Sequence, residues 1–450
     1  MNSYEEFLKK DKPKDYFIKV HDELSRLNQE LNLFNKISDP SKLNNFLISV
    51  KDNLCVKDIE TTASSKILEG YIPPFDATVI SKIKEKNMFS LLGKTNMDEF
   101  GFGSFGVNSE KQAKNPFNKE YVSGGSSSGS AIATSILKYH ISIAESTGGS
   151  ISTPSAFCGV VGFTPTYGSI SRYGLIDYAN SLDKIGIMAR KAEDVKFMYD
   201  IIKGPDKYDT TCINKNCTNQ NNKIIILIDE LIKGLNPEIE KSFLNLVNKF
   251  EKLGYTVKHK SIPFIDKSIA SYYIIAMAEA STNLAKYTGF KYGFKNENIS
   301  QKYNEFFTDS RSNFGKEAKR RIVLGTFVRS ASVKDLYYSK ALKIRSLLIQ
   351  ELNKVLDEGF ILSPVMPIKT PKFSELNSFS PLEIYKTDIL TIPPNLCGLP
   401  HISFPYDYLE GMPLGAQLIT KHWNDYAIID VVSQWESIFN YKFKYNLGLL

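Results

Sequence analysis

Apolar residues near the start of the chain lie on one face of a predicted helix. They recur at three- and four-residue steps in an otherwise polar stretch, as Phe17, Val20, Leu24, Leu27 and Leu31. Steps of this size follow the turn of an α-helix, so these side chains share one side of it. Residues 1–45 are therefore predicted to form an N-terminal amphipathic helical region.

After this region, short apolar runs alternate with helix-like windows. Runs at 46–50, 89–92 and 141–144 have the length of buried strands, and the window 131–137 has helical composition. Such alternation is typical of an α/β fold, in which helices pack on a sheet. We predict one α/β catalytic domain over residues 46–450.

A polar, turn-rich segment at residues 204–222 interrupts the pattern and is interpreted as an internal loop of that domain. A strand at Ile224–Ile228, a helix near 237–253 and a strand at Thr256–Lys260 follow the loop. They form a βαβ-like unit that is predicted to extend the same sheet. Residues 360–420 are predicted to return to short strands separated by proline-rich turns.

The composition is that of an ordinary globular protein, with 42% hydrophobic and 23% charged residues. The net charge is +7, and acidic and basic residues interleave along the chain. This balance permits RNA nearby but does not by itself indicate a binding surface. The polar N-terminus lacks the apolar stretch of a secretory signal, and no run of about 18 apolar residues could span a membrane. A cytoplasmic protein is expected.

The five cysteines are an odd number scattered along the chain, at Cys55, Cys158, Cys212, Cys217 and Cys397. That arrangement is a poor disulfide framework and is typical of reduced thiols in a cytoplasm. Cys212 and Cys217 are close enough in sequence to share a metal ion, yet no further Cys or His completes a set of four ligands. No metal site is predicted.

Two glycine motifs match familiar patterns but lack the required context. Residues 101–106 match GxGxxG, which needs a preceding strand and a following helix, and we interpret these glycines as loop residues. Residues 125–129 match GxSxG and would make Ser127 a nucleophile assisted by a histidine. The later histidines have ordinary surface or core settings, at His140, His259, His401 and His422. The nucleophile-elbow interpretation is therefore the less favoured one.

Two tracts rich in glycine and serine, at 123–130 and 146–154, are the stronger candidate for a functional site. Most such tracts are flexible linkers, but here a helical window and an apolar strand lie between them. Glycine among regular elements indicates that the backbone must approach something closely. Successive N–H groups at Thr147, Gly148, Gly149 and Ser150 could converge on a developing oxyanion, at roughly 3 kcal/mol per donor.

A serine nucleophile without a histidine needs another base, and Lys51 is the candidate. It ends the apolar run that begins at Phe46, where burial can be enforced. Desolvation disfavours an ammonium group, so a buried lysine can be neutral near pH 7 and can take a proton. A surface lysine at the end of a strand is the competing interpretation.

Three segments in this order and spacing resemble the amidase signature family. They are Val50-Lys51-Asp52-Asn53, GGSSSGS at 124–130 and TGGSI at 147–151. The resemblance implies a large mixed β-sheet covered by helices on both faces. It also implies a Ser-Ser-Lys triad in which Ser150 is the nucleophile, Ser126 is a bridging serine held by a cis peptide, and Lys51 is the base. Ser126 would relay a proton from Ser150 to Lys51 and later to the leaving amine.

Longer segments resemble one branch of that family, the A subunits of tRNA-dependent amidotransferases. They are residues 93–104, 115–131, 156–176, 181–186, 314–327 and 387–400. This resemblance implies a glutaminase that supplies ammonia for amidating misacylated Glu-tRNA(Gln) or Asp-tRNA(Asn). It further implies B and C subunits as partners, with ATP and Mg²⁺ bound on a partner and no cofactor in this chain.

By the same resemblance, three residues would hold the glutamine. Arg321 would bind its α-carboxylate and Asp388 its α-amino group, while Tyr272 would line the pocket. This agrees with the chemistry, because a zwitterion needs one fixed cation and one fixed anion, and a guanidinium suits a carboxylate. Arg320 could exchange roles with Arg321.

The chain departs from the family pattern at three positions. Ser146 and Ser152 stand where the family usually has Asp and Arg, and Ser128 replaces a glycine. Losing the acid and the base together avoids leaving one buried charge without a partner. We expect retained activity, with Glu145 compensating for the loss.

Two other functions are compatible with the sequence. A free-standing amidase acting on small amides would share the triad without needing Arg321 and Asp388. A non-catalytic scaffold would have kept only the fold, and the intact Lys51, Ser126 and Ser150 argue against that function.

Overall fold

One β-sheet of 11 strands runs through the protein. The computed structural model describes residues 1–218, 222–298 and 300–439. In chain order the strands are β1 (Phe34–Ile37), β2 (Phe46–Lys51), β3 (Phe89–Thr95), β4 (His140–Ser146), β5 (Val161–Thr164), β6 (Lys184–Ala189), β7 (Ile224–Ile228), β8 (Thr256–Lys260), β9 (Phe360–Pro364), β10 (His401–Leu409) and β11 (Met412–Ile419). Across the sheet the order is β1-β3-β2-β4-β6-β5-β10-β11-β9-β7-β8.

The sheet is mixed, as the family resemblance implied. Strand β2 pairs in parallel with both β3 and β4, and β7 pairs in parallel with both β8 and β9. The remaining pairs, from β4–β6 through β11–β9 and also β1–β3, are antiparallel. The predicted α/β class with a large mixed sheet is confirmed.

Helices pack against both faces of this sheet. Within the described residues they are α1 (Ser3–Lys9), α2 (Tyr16–Leu31), α3 (Thr78–Glu85), α4 (Ser128–Ile136), α5 (Ser152–Cys158), α6 (Ala192–Ile202), α7 (Asp229–Ile232), α8 (Pro237–Lys252), α9 (Lys267–Asn283), α10 (Tyr303–Arg311), α11 (Lys316–Arg329), α12 (Tyr338–Leu356), α13 (Phe373–Leu376), α14 (Pro381–Lys386), α15 (Ile392–Leu396) and α16 (Asp425–Phe439). Alternate residues of β7 show the two-sided packing, because Ile225 and Leu227 join one hydrophobic cluster whereas Ile226 and Ile228 join another.

The N-terminal region is only partly the helical region that the sequence predicted. Helix α2 buries Val20, Leu24, Leu27 and Leu31 on one face, as the spacing indicated. Residues 34–37, however, form strand β1, which pairs with β3 at the edge of the sheet. The prediction was wrong there because this strand is too short to leave a recognisable pattern in a polar segment.

The βαβ-like unit is confirmed, and its helix has clear signals. β7 and β8 are parallel neighbours with α8 between them. The side chain of Asn236 accepts a hydrogen bond from Glu238 N at 3.0 Å, and Pro237 occupies the first helical turn. An Asn cap followed by Pro satisfies the free N–H groups that begin a helix. Residues 219–221 of the predicted loop lie outside the described residues.

The segment 360–420 contains more helix than predicted. Strands β9, β10 and β11 are present, but α13, α14 and α15 lie between them. In α14 the proline stands at the first helical turn, and Ser380 caps it by accepting from Glu383 N. Proline at that position begins a helix, whereas the prolines were expected to mark turns.

Candidate active site

The carboxyl ends of two adjacent parallel strands meet where the predicted triad lies. Lys51 is the last residue of β2, and β4 beside it ends at Ser146, directly before the second glycine-serine tract. Open α/β sheets carry their sites at such strand ends. Ser126 comes from the segment just before α4, and Ser150 from the loop between β4 and α5.

The structure brings Lys51 and Ser126 into direct contact. Lys51 Nζ donates to Ser126 Oγ at 2.8 Å, and both side chains are fully buried. The Gly125–Ser126 peptide bond is cis, as predicted. Ser127 N donates to the carbonyl oxygen of Ser150 at 3.2 Å, which ties the two serine tracts together. Lys51 is thus not the surface lysine of the competing interpretation.

The Nζ atom of Lys51 also faces a carboxylate that the sequence did not predict there. Lys51 Nζ lies 2.9 Å from Glu145 Oε2 and 2.9 Å from the Glu145 carbonyl oxygen. Asn53 Nδ2 donates to the same Oε2 at 3.1 Å. Only burial was considered for Lys51 from the sequence, whereas the structure also places a carboxylate within hydrogen-bonding distance of its Nζ. The available signal was an acid inside β4, a strand that is buried along its whole length.

A second buried acid is linked to Glu145 through Thr147. Thr147 Oγ1 lies 2.8 Å from Glu145 Oε1 and 2.8 Å from Asp183 Oδ1. A hydroxyl carries one hydrogen, so it can donate to only one of these oxygens. Burial, and then the charge of Glu145, raise the pKa of Asp183 well above its ordinary value. The raised pKa favours the protonated form of Asp183, which can share one hydrogen with Thr147 while Thr147 donates to Glu145.

The predicted oxyanion loop follows β4 and has no room for side chains. A Cβ on Gly148 would lie 2.7 Å from the hydroxyl of Tyr272, and one on Gly149 would lie 2.6 Å from Thr391 Oγ1. Among the hydrogen bonds between described residues, none is donated by the N–H groups of Thr147, Gly148 or Gly149. These groups are therefore available to a ligand oxygen.

The positions that depart from the family pattern are buried and uncharged. Ser146 Oγ donates to the Gly148 carbonyl oxygen at 3.1 Å and lies 3.5 Å from Asn395 Oδ1. Ser152 Oγ is buried without a hydrogen-bond partner among the described residues. Glu145 contacts neither serine through its carboxylate and pairs with Lys51, so it does not substitute for the missing acid in the way we expected.

Arg321 lies beside a cavity of about 190 Å³ that Ser104, Tyr273 and Tyr385 also line. Its side chain is buried, and Nε donates to Glu317 Oε1 at 2.8 Å while Nη1 donates to the hydroxyl of Tyr178. Its guanidinium carbon stacks 5.0 Å from the ring centre of Phe102. An arginine fixed in this way can offer its remaining N–H groups to a carboxylate.

The structure distinguishes Arg321 from its neighbour Arg320. The side chain of Arg320 is 42% exposed and that of Arg321 is 3% exposed. Only Arg321 contacts Tyr178, which lies against Gly101 next to Ser126. Arg320 pairs with Glu317 from the solvent side. Of the two, Arg321 has the setting that a buried anion-binding site needs.

Asp388 presents an unpaired carboxylate oxygen beside this cavity. Its Oδ2 accepts from Tyr273 Oη at 2.6 Å and from Ser104 Oγ at 2.8 Å, two residues that line the cavity. Its Oδ1 is buried and has no partner among the described residues. Burial raises the pKa of Asp388 to about 6, against the opposing effect of the two hydrogen bonds. A buried, unpaired anionic oxygen is costly unless a ligand satisfies it.

Two adjacent tyrosines of α9 connect the cavity with the oxyanion loop. Tyr272 lies against Gly148, and Tyr273 holds Asp388. The sequence identified Tyr272 but missed Tyr273, and it also missed Glu317 and Asp183. Successive helical residues point about 100° apart, so the sequence could not show that both tyrosines face the site.

The weaker motifs have structural roles. Ser127 Oγ donates to the Glu145 carbonyl oxygen at 3.1 Å, and no described histidine hydrogen-bonds to it. Residues 102–106 lie in a loop.

The five cysteines are free thiols. Within the described residues there is no group of His, Cys, Asp and Glu side chains that could hold a metal ion, and no helix has the length and apolar character to cross a bilayer.

A family comparison accounts for this combination of fold and site. The sequence model of the amidase family, Amidase, matches residues 22–429. The chain belongs to the amidase family. This membership confirms the resemblance first drawn from the lysine and the two glycine-serine tracts.

Relatives and a solved structure show which members of the amidase family this chain is similar to. The chain is 40% identical over 408 residues to the A subunit of the glutamyl-tRNA(Gln) amidotransferase of Halalkalibacterium halodurans, covering 88% of this chain and 84% of that protein. It is 41% identical over 410 residues to the corresponding protein of Methanococcoides burtonii, covering 86% and 83%. The crystal structure of the same protein from Thermotoga maritima superposes with a TM-score of 0.80 at 33% identity, over 94% of this chain and 91% of the other.

Proposed function

We propose that this amidase is the glutaminase component of a tRNA-dependent amidotransferase. It hydrolyses glutamine through Lys51, Ser126 and Ser150, and the ammonia converts Glu-tRNA(Gln), Asp-tRNA(Asn) or both into the amidated forms. The relatives named as A subunits of the glutamyl-tRNA(Gln) enzyme match most of this chain and support that branch.

The observation that carries the choice of substrate is the pair of opposite charges at the cavity. Arg321 and Asp388 are both almost fully buried, at 3% exposure each. Glutamine is a zwitterion, so its α-carboxylate matches Arg321 and its α-ammonium matches the unpaired Oδ1 of Asp388. A simple amide offers neither charge and would leave Asp388 Oδ1 without a partner.

The proposed hydrolysis combines the observed Lys51–Ser126 contact with Ser150 as the nucleophile that the family resemblance implies. The Ser150 hydroxyl attacks the side-chain amide carbon while its proton passes to Ser126 and on to Lys51. The N–H groups of Thr147, Gly148 and Gly149 hold the oxyanion that forms. The proton returns through Ser126 to the amide nitrogen, the C–N bond breaks, and ammonia leaves. Water then hydrolyses the acyl-Ser150 ester by the same route.

Free ammonia in water would be protonated and lost, so the protein is proposed to work in the cytoplasm in a heteromeric complex with B and C subunits. The sequence lacks a phosphate-binding loop. ATP and Mg²⁺ are therefore assigned to a partner, which also provides most of the contact with misacylated tRNA. No cofactor is proposed for this chain.

The decisive experiment measures ammonia release by the chain co-expressed with its B and C partners. Glutamine, asparagine and propionamide are compared, each with and without misacylated tRNA and ATP. Glutamine hydrolysis that tRNA and ATP stimulate supports the proposed function. If the assembled complex cleaves propionamide and leaves glutamine intact, the chain is a free-standing type of amidase and the roles of Arg321 and Asp388 are wrong.

The pH dependence of glutamine hydrolysis is expected to report Asp388. Its carboxylate must be ionised to hold an ammonium group, and its pKa is raised to about 6. Below that pH the acid is protonated, so kcat/KM for glutamine should fall about tenfold per pH unit. Tyr273→Phe removes a hydrogen bond that favours the ionised form, so the decline should begin at a higher pH. An unshifted decline in Tyr273→Phe would contradict the assignment.

A further inference from the structure

Lys51 has more than one partner for the proton that it is proposed to receive. Besides Ser126 Oγ at 2.8 Å, its Nζ contacts Glu145 Oε2 at 2.9 Å. Lys51 and Glu145 are exposed by only 0% and 1%. An isolated buried lysine has to be neutral before it can act as a base, whereas a lysine paired with a carboxylate can pass a proton on.

We propose that the base of this site is the Lys51–Glu145 pair, with Glu145 Oε2 as the final proton acceptor. The proposal rests on the proposed amide hydrolysis by Ser150 and adds one member to its proton path. Ser150 gives its proton to Ser126, Ser126 gives one to Lys51, and Lys51 gives one of its own to Glu145. Lys51 remains an ammonium group throughout.

The charges balance at each stage. Before attack the pair consists of one ammonium and one carboxylate and is neutral overall. After attack Glu145 is a neutral acid, Lys51 is still an ammonium, and the negative charge lies on the oxyanion. When the C–N bond breaks, the proton returns from Glu145 through Lys51 and Ser126 to the leaving nitrogen. No net charge is created in the buried site, which avoids a large desolvation cost.

The surroundings of Glu145 hold its two oxygens in different roles. Oε1 accepts from Thr147, whose hydroxyl also lies 2.8 Å from Asp183 Oδ1, while Oε2 faces Lys51. The titratable groups near the pair are Lys51 on β2, Asp183 before β6, and Asp98 after β3, on which the Lys51 charge acts. Asn53 supports Oε2 as a neutral donor.

The test follows sulfonylation of Ser150 by phenylmethanesulfonyl fluoride in the full-length chain, measured by mass spectrometry from pH 5 to 10. In that reaction the Ser150 Oγ–S bond forms, the S–F bond breaks and fluoride leaves, while the serine proton enters the relay. The probe needs neither Arg321 nor Asp388. A failure of the glutamine assignment therefore leaves this test intact.

Glu145→Gln keeps the shape and the acceptor facing Lys51 but cannot take a proton. The rate of sulfonylation at pH 7 is expected to fall at least about tenfold, because general base catalysis contributes about 10²–10⁴-fold. The acidic limit of activity should move up by at least about one pH unit, because Lys51 must then lose a proton before it can accept one. Glu145→Asp keeps a carboxylate. Its sulfonylation rate and its acidic limit should therefore lie between those of Glu145→Gln and those of the parent.

If Lys51 were the base by itself, the result would be the opposite. Removing the carboxylate would make the neutral amine easier to form, so Glu145→Gln would react as fast or faster at pH 7 and its acidic limit would move down. Either observation overturns the proposal. Should Glu145→Gln fail to fold, Glu145→Asp carries the test, since the relay requires that it keep the acidic limit of the parent within about half a pH unit.

Discussion

Replacing Lys51 by methionine is expected to abolish amide hydrolysis and also to destabilise the fold. Activity should fall by about 10⁴-fold or more, because members of a catalytic triad act as one unit. The free energy of unfolding should fall by about 3–5 kcal/mol, because Glu145 would be left as a buried carboxylate without its cation. Ammonia release and urea unfolding, followed by the fluorescence of Trp423 and Trp435, measure the two effects.

The double variant Lys51→Met/Glu145→Gln separates the loss of activity from the loss of stability. It removes both charges, so most of the lost stability should return while the activity stays absent. Equal destabilisation in the single and double variants would mean that packing, not the unpaired charge, accounts for the loss. Recovery of activity in the double variant would contradict the role of Lys51.

Asp388→Asn is expected to lower kcat/KM for glutamine by about 100-fold, equivalent to about 2.7 kcal/mol. The asparagine oxygen can still accept from Ser104 and Tyr273, so the local packing survives. Its amide group, however, would replace the unpaired Oδ1 and point a donor at the substrate ammonium. Steady-state kinetics with glutamine measures the loss.

Propionamide is the matched control, because it lacks the α-ammonium and α-carboxylate groups. Its hydrolysis by Asp388→Asn should stay within about twofold of the parent, since it never uses that carboxylate. An equal loss with both substrates would show that Asp388 supports the fold of the site and does not bind the ammonium group.

Local pattern and spacing were sufficient to predict several strands and one helix. The apolar runs predicted β2, β4 and β7, and the periodic spacing predicted α2. These features follow from neighbouring residues, since burial forces apolar residues to repeat with the period of the element. The prolines of 360–420 were wrongly predicted to mark turns only. A proline can end one element or begin a helix, and the capping residues around it determine which of the two occurs.

The sequence by itself determined the fold class, the family, and the identity of Lys51, Ser126 and Ser150 as candidates, because these depend on short contiguous motifs. Only the tertiary structure decided that Glu145 faces Lys51, that Thr147 joins it to Asp183, and that Arg321 rather than Arg320 is buried. The reason is physical. A side chain acts through what it faces, and the sheet places residues from distant segments within hydrogen-bonding distance, where burial sets their charge.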